Sequence, residues 1–152
     1  MNSCKILLVT FWLLVIPILL VSCREEQPPN FLLINIDDMG WRDAGYMGSD
    51  FYETPNIDRL AGEGMVFTQG YASASNCAPS RACLMSGQWT PRHGIYTVNN
   101  SDRGAPEHRK LIPIENQVTL PDTILTFPEL LQQQGYRTCH AGKWHLSNDP
   151  TT

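Results

Sequence analysis

The 152-residue sequence lacks an excess of positive charge, and this bears on the kinds of molecule that the protein can bind. It has 11 Lys and Arg against 15 Asp and Glu, a formal net charge of -4. The diffuse basic surface that steers proteins towards phosphate backbones is therefore missing, and we expect no nucleic-acid partner. The 11 Gly and 11 Pro show no period, which excludes a collagen-like chain, and 42% hydrophobic residues are typical of one folded domain.

Long hydrophobic runs are also absent, apart from one near the start of the chain. After Lys5, residues 6–21 are apolar except for Thr10. A transmembrane helix needs roughly 20 apolar residues, so this run is short for a membrane span. Residues 1–22 are therefore predicted to be a signal peptide, and the protein is expected to be exported.

The end of this segment predicts a lipid anchor. Leu20-Val21-Ser22-Cys23 resembles the lipobox of bacterial lipoproteins, in which the signal is cut before the cysteine and that cysteine carries the lipid. Residues 23–30 are polar and include two prolines, as is usual for a tether between a lipid and a domain. We expect a bacterial lipoprotein held to a membrane through Cys23, either in the periplasm or at the cell surface.

The sequence has no C-x-x-C pair, which makes a structural zinc site improbable. Of its five cysteines, Cys4 would leave with the signal and Cys23 would carry the lipid. Three remain, and in an oxidising compartment an odd number means that one thiol is free or altered. The count makes one of Cys77, Cys83 and Cys139 special, and Cys83 and Cys139 are interpreted as core thiols or as a disulfide with each other.

Three short apolar runs predict strands in the mature chain, at residues 31–36, 65–71 and 136–141. Because helical patterns alternate with them, an α/β layered fold is predicted, in which ligands lie beyond the carboxyl ends of the strands. Asp37-Asp38 follows the first strand and Lys143 follows the third. Both are therefore candidates for a ligand site.

Three helices are predicted from prolines at first helical positions and from closing glycines. They run from Pro55 to the glycines at 62 and 64, from Pro79 to Gly87, and from Pro128 to Gln134. Cys77 would thus lie just before a helix N-terminus, which attracts anions. Residues 99–113 are polar and irregular, as expected of a long surface loop that shapes a substrate mouth.

Several motifs together resemble the type I sulfatases. Cys77-Ala78-Pro79-Ser80-Arg81 resembles the first signature of that family, the segment from Gly135 to His145 resembles the second, and Asp37-Asp38-Met39-Gly40 resembles the metal-binding start. The resemblance implies an alkaline-phosphatase-like α/β/α layered sheet. Residues 31–152 would form the N-terminal part of the catalytic domain, so the chain is expected to be a fragment that is inactive alone.

The resemblance also implies a chemistry centred on Cys77. A formylglycine-generating maturation enzyme would oxidise Cys77 to formylglycine, whose hydrated aldehyde supplies the nucleophilic oxygen. Asp37 and Asp38 would hold Ca²⁺ together with the modified Cys77, since calcium prefers hard oxygen ligands. Asn76 and Ser86 depart from the family pattern in the stretch that the maturation enzyme reads.

Three further residues would complete the site by the same resemblance. Arg81 would orient the formylglycine hydrate, and Lys143 would contact both the nucleophile and the sulfate. His145 would act as the general base that expels sulfate. The implied activity is hydrolysis of sulfate esters on glycans or aryl compounds. A formylglycine-dependent phosphate or phosphonate ester hydrolase and a non-catalytic surface lipoprotein remain as alternatives.

The other histidines receive simpler interpretations. His93 and His108 lie in polar segments and are predicted to be solvated, with a position bordering the site as the alternative for His93. His140 is expected to face a neighbouring layer of the fold rather than the substrate.

Overall fold

The computed structural model describes residues 28–147. The predicted signal peptide, the lipid attachment site and most of the tether lie outside the described residues. The chain divides into two units, residues 1–36 and residues 37–152. In the part of the chain that the structure describes, no helix has the length and apolar character needed to cross a membrane.

Within the described part of the second unit, residues 37–147, there are four α-helices and two 3₁₀ turns. The helices are α1 (Pro55–Glu63), α2 (Cys77–Ser86), α3 (Thr90–His93) and α4 (Phe127–Gln133). The 3₁₀ turns span Gly45–Met47 and Pro106–His108, the second of them inside the predicted loop.

Three of the four helices lie close to their predicted positions, with one relevant shift, and α3 was not predicted. Helix α1 begins at Pro55 as expected, but it continues through Gly62. Helix α2 begins at Cys77, two residues before the predicted start, because Pro79 falls in the first turn, where a backbone N–H has no intrahelical acceptor. Cys77 is therefore the first helical residue rather than the residue before the helix.

The predicted sheet is not confirmed. None of the residues from 28 to 147 forms a strand, so the segments 31–36, 65–71 and 136–141 differ from the prediction. A strand depends on backbone hydrogen bonds to a neighbouring strand, and none of these segments finds such a neighbour among the described residues. Leu32 and Met65 accordingly keep most of their side-chain surface exposed.

The hydrophobic core surrounds α2. Six buried side chains form it: Ala78, Ala82, Met85, Ile95, Leu120 and Leu146. Phe127 of α4 and Trp144 pack against this cluster, and Leu120 N donates a hydrogen bond to the Leu146 carbonyl at 2.8 Å. The helix that carries Cys77 is thus packed on the same core as the segment that carries Lys143 and His145.

Candidate active site

An ion pair joins the two predicted ligand-site segments. Lys143 Nζ donates to Asp37 Oδ2 at 2.6 Å. This hydrogen bond from the ammonium is the main cause that holds the pKa of Asp37 below its ordinary value, and Arg81 adds to it. The same contact raises the pKa of Lys143, and a hydrogen bond to Cys77 contributes further. Asp37 is therefore held as a carboxylate and Lys143 as an ammonium.

Arg81 lies one turn after Cys77 on α2 and links the two segments again. Its Nη2 lies 3.4 Å from Asp37 Oδ1, and its Nη1 donates to the Lys143 carbonyl at 2.5 Å. The Arg81 side chain is mostly buried, and its Nε is buried without a hydrogen-bond partner among residues 28–147. Because guanidinium groups present several donors in a fixed plane, Arg81 can use Nη1 and Nη2 for these two contacts and keep its Nε donor unused among the described residues.

A candidate cation site lies beside the Asp37–Lys143 ion pair. One ligand atom from each of Asp37, Asp38 and Cys77 falls within 4.8 Å of the others. The two carboxylates fit Ca²⁺, which takes hard oxygen ligands, whereas a thiol is a soft ligand and suits it poorly. The donor set therefore fits calcium best when position 77 supplies oxygen.

Asp38 and His145 share an unusual backbone conformation. Their φ angles are 57° and 63°, in the left-handed region that non-glycine residues rarely adopt. Such strain is concentrated at functional sites and costs on the order of 1–3 kcal/mol per residue. His145 Nδ1 is also buried and without a hydrogen-bond partner in the described part of the chain.

The structure thus brings Asp37, Asp38, Cys77, Arg81 and Lys143 together, and it places His145 two residues after Lys143 in a strained conformation. The catalytic and ligand roles of these six residues stay predictions.

One contact beside the nucleophile position was not predicted from the sequence. Asn76 precedes α2, and its Nδ2 donates to Thr97 Oγ1 at 2.9 Å. Thr97 is buried, and its backbone N–H donates to Asn116 Oδ1 at 3.0 Å. In the sequence, only the departure of Asn76 from the family pattern drew attention to this position, and nothing in the sequence indicated Thr97 or Asn116 as its partners.

The solvated interpretation of His93 is wrong. Its side chain is 2% exposed, its Nδ1 accepts the Ile95 N–H at 3.1 Å, and its Nε2 lies 3.4 Å from Cys83 Sγ. Burial lowers the pKa of His93 and raises the pKa of the Cys83 thiol. His93 sits at the end of α3, where its ring fills the space beside α2. His108 is exposed, as predicted.

The remaining predictions for cysteine and histidine have mixed outcomes. Cys77, Cys83 and Cys139 are all free thiols, so the disulfide alternative is wrong. Cys83 is buried as a core thiol, but Cys139 is exposed. His140 is exposed and makes an edge-to-face contact with Trp144, with ring centroids 5.3 Å apart.

Comparisons of the sequence with known proteins show which family this chain is similar to. The chain is 43% identical to human N-acetylgalactosamine-6-sulfatase over 124 residues, 82% of this chain and 23% of that protein. It is 42% identical to the dog N-acetylgalactosamine-6-sulfatase over 129 residues, 85% of this chain and 24% of that protein. It is 40% identical to bovine arylsulfatase A over 134 residues, 87% of this chain and 24% of that protein.

The chain spans about a quarter of the length of these relatives. The Sulfatase family model matches residues 29–152. The chain belongs to the sulfatase family.

Proposed function

We propose that the parent protein, of which this chain would be the N-terminal part, hydrolyses sulfate esters at the site built around Cys77. The observation that carries this proposal is the convergence of Cys77, Arg81 and Lys143 on Asp37, although these residues come from distant parts of the sequence. A sulfate ester carries anionic oxygens around an electrophilic sulfur, so attack requires fixed positive groups near the nucleophile. Arg81 and Lys143 are such groups, and Asp37 holds them in place.

Formylglycine at position 77 would supply a hydrated aldehyde as nucleophile, and calcium held by Asp37 and Asp38 would supply positive charge for the sulfate oxygens. In this proposal Lys143 binds the substrate oxygens and keeps its proton, because its contacts raise its pKa. Arg81 directs its free donor to the nucleophile. His145 removes the proton that accompanies sulfate release.

The substrate class and the surroundings of the enzyme belong to the same proposal. Its relatives are named for N-acetylgalactosamine 6-sulfate and aryl sulfates, which supports sulfated glycans or aryl sulfates as substrates. Family membership supports the alkaline-phosphatase-like α/β/α fold. The lipobox pattern supports export and a lipid on Cys23, and a formylglycine-generating enzyme would be the maturation partner.

A direct test is to produce the parent protein that contains this chain, together with a formylglycine-generating enzyme, and to compare its turnover of 4-nitrophenyl sulfate and 4-nitrophenyl phosphate. We expect an aldehyde at position 77 by peptide mass spectrometry, a preference for the sulfate ester, and loss of turnover in Cys77→Ala. A preference for the phosphate ester would replace the sulfatase assignment by the phosphatase alternative. An active enzyme that retains the Cys77 thiol would reject the mechanism.

A further inference from the structure

Helix α2 is held at both ends by a short stretch of chain that begins at the end of α3. At the last turn of α2, Cys83 Sγ lies 3.4 Å from His93 Nε2. Further along this stretch, Ile95 is fully buried in the core cluster that includes the buried side chains of α2. At the start of α2, Thr97 Oγ1 accepts a hydrogen bond from Asn76 Nδ2 at 2.9 Å. The last of these contacts lies beside the nucleophile position.

The buried residue Thr97 is itself fixed by its neighbours. Asn116 Oδ1 accepts the Thr97 N–H at 3.0 Å, and Asn116 Nδ2 donates to the Thr97 carbonyl at 3.1 Å. Arg103 Nη2 donates to Thr97 Oγ1 at 3.2 Å. The Nη1 atom of Arg103 is bound in turn by the carbonyls of Asn100 and Asp102, each at 2.8 Å. The Thr97 hydroxyl oxygen therefore has a defined position in the fold.

Asn76 does not use its side chain as asparagine usually does at the start of a helix. An N-cap asparagine normally accepts a hydrogen bond from a backbone N–H of the first turn. Asn76 is the N-cap of α2, but its side chain makes no such bond and its Nδ2 donates to Thr97 instead. Its carbonyl accepts the Ser80 N–H at 3.1 Å. Asn76 thus connects the first turn of α2 to the Thr97 hydroxyl.

The position of the next residue matters for the proposed reaction. Cys77 contacts Lys143, and its Sγ lies within 4.8 Å of a carboxylate oxygen of Asp37 and of Asp38. A nucleophile must be aligned with the groups that bind the substrate, and a misplacement of about 1 Å can lower the rate on the order of 10²-fold. Whatever fixes the first turn of α2 therefore bears on the rate.

We propose that Asn76 and Thr97 are positioning residues, whose hydrogen bond keeps the side chain at position 77 aligned with Lys143 and Asp37. This inference rests on the proposed sulfatase function. Neither residue contacts the substrate in this proposal, so the bond affects kcat and leaves KM unchanged. Position 77 takes part in both attack and sulfate release, so kcat depends on the alignment whichever step is slower.

The principal test compares Thr97→Val and Thr97→Ser in the parent protein. Valine keeps the shape of threonine without the hydroxyl, and serine keeps the hydroxyl. We expect Thr97→Val to lower kcat for 4-nitrophenyl sulfate by about two- to tenfold, the range for one neutral hydrogen bond, with an unchanged KM. Thr97→Ser should restore kcat. Position 97 lies outside the stretch around Cys77 that the maturation enzyme would read, and kcat is expressed per aldehyde at position 77, measured by peptide mass spectrometry.

A double-mutant cycle tests whether Asn76 and Thr97 act through the same bond. Asn76→Ala should lower kcat per aldehyde as Thr97→Val does, and the double variant should lose no more than either single variant. Asn56→Ala, at an exposed asparagine of α1, is the matched control and should keep kcat. Losses that multiply in the double variant would show that the two residues act independently.

Hydrogen exchange measures the anchoring without any turnover. The Ser80 amide is bonded to the Asn76 carbonyl, so release of Asn76 should loosen this bond. We expect the peptide that spans residues 76–81 to exchange faster in Thr97→Val, and to exchange as in the unsubstituted protein in Thr97→Ser. Faster exchange with an unchanged kcat would overturn the proposal, because the bond would then stabilise the helix without aligning position 77.

Cys83→Ala separates alignment from a general loss of stability. It removes the contact with His93 at the far end of α2, so it should lower Tm while kcat and KM stay unchanged. An equal loss of kcat in Cys83→Ala would overturn the proposal. A rise in KM with an unchanged kcat in Thr97→Val, or an equal loss of kcat in Thr97→Ser, would do the same.

Failure of the proposed function gives a different result. A parent protein with an aldehyde at position 77 and no turnover of 4-nitrophenyl sulfate would reject the sulfatase function. Exchange of residues 76–81 would then decide by itself whether Thr97 anchors position 77. Turnover that is unaffected by Thr97→Val would keep the sulfatase function and reject the positioning role.

Discussion

Asp37 and Lys143 lie 106 positions apart in the sequence, and 2.6 Å separates the carboxylate Oδ2 from the ammonium Nζ. The pair joins the segment that begins the site to the segment that ends it. Arg81 Nη2 lies 3.4 Å from Oδ1, the second oxygen of the same carboxylate. Asp37 is thus both a candidate calcium ligand and the anion that positions the side chains of Arg81 and Lys143. A change at this residue is therefore expected to affect calcium binding and the placement of the two basic side chains.

Asp37→Asn keeps the shape of the side chain and removes its charge. We expect calcium affinity and kcat/KM for 4-nitrophenyl sulfate each to fall by at least about tenfold, since even outer-shell changes around a metal cost about 10–100-fold. Calcium titration followed by steady-state kinetics measures both. Asp50→Asn, at an exposed acid elsewhere in the unit, should change neither. Unchanged calcium affinity in Asp37→Asn would remove Asp37 from the ligand set.

Leu146 anchors the strained residue His145 to the core. It is 1% exposed, and its carbonyl accepts the Leu120 N–H. Leu146→Ala should therefore lower the free energy of unfolding by about 2–5 kcal/mol and should also reduce turnover, because His145 loses its support. Denaturant titration and kinetics test this, with Leu125→Ala at an exposed position as control. Normal turnover with the full loss of stability would show that His145 is positioned independently of Leu146.

Because His93 is buried, we expect the free energy of unfolding to depend on pH. Burial lowers its pKa in the folded state, so between that pKa and about 6.5, the ordinary value, the unfolded chain binds more protons. The contribution of neutral, buried His93 to the free energy of unfolding is therefore fully present above about pH 6.5, and it is lost as the pH falls towards the pKa of the folded state. His93→Asn keeps an acceptor for the Ile95 N–H and should reduce the slope of Tm between pH 7 and pH 5.

His108→Asn is the control for this measurement, because His108 is exposed. It should retain the slope of the unsubstituted protein. An equal slope in all three proteins would show that the buried ring does not govern acid stability.

The motif residues could be located from the sequence because each signature fixes several of them at short spacing. Their convergence was expected from the resemblance, and the contacts of Asp37 agree with it. The burial of His93 could not be predicted, since it depends on Cys83 and Ile95, which local polarity does not reveal. The strands were expected from apolar runs, but strand pairing is non-local, and residues 31–36 are not part of a strand in the described part of the chain.

The lipid anchor is testable in a bacterial host. Cys23→Ala removes the residue to which the lipid would be attached, so the protein should be misprocessed or should leave the membrane fraction. Membrane fractionation and intact-mass measurement of the mature N-terminus check this. Cys4→Ala, within the predicted signal peptide, should be processed normally. If Cys23→Ala remained membrane-bound with an unchanged mature mass, the lipobox interpretation would be wrong.

His145→Ala tests the step at which the predicted base acts. If His145 serves only sulfate release, the first ester bond should still break, because Arg81 remains to orient the nucleophile and Lys143 remains to bind the sulfate oxygens. A burst of one 4-nitrophenol per active site should then precede a steady state slowed by about 10²–10⁴-fold, the usual contribution of a general base. Stopped-flow absorbance measures burst and steady state together. His140→Ala, at an exposed histidine in the same segment, should leave the steady-state rate unchanged. Loss of the burst in His145→Ala would place His145 in the attack step or in substrate binding, because release cannot limit a reaction whose first bond has not broken.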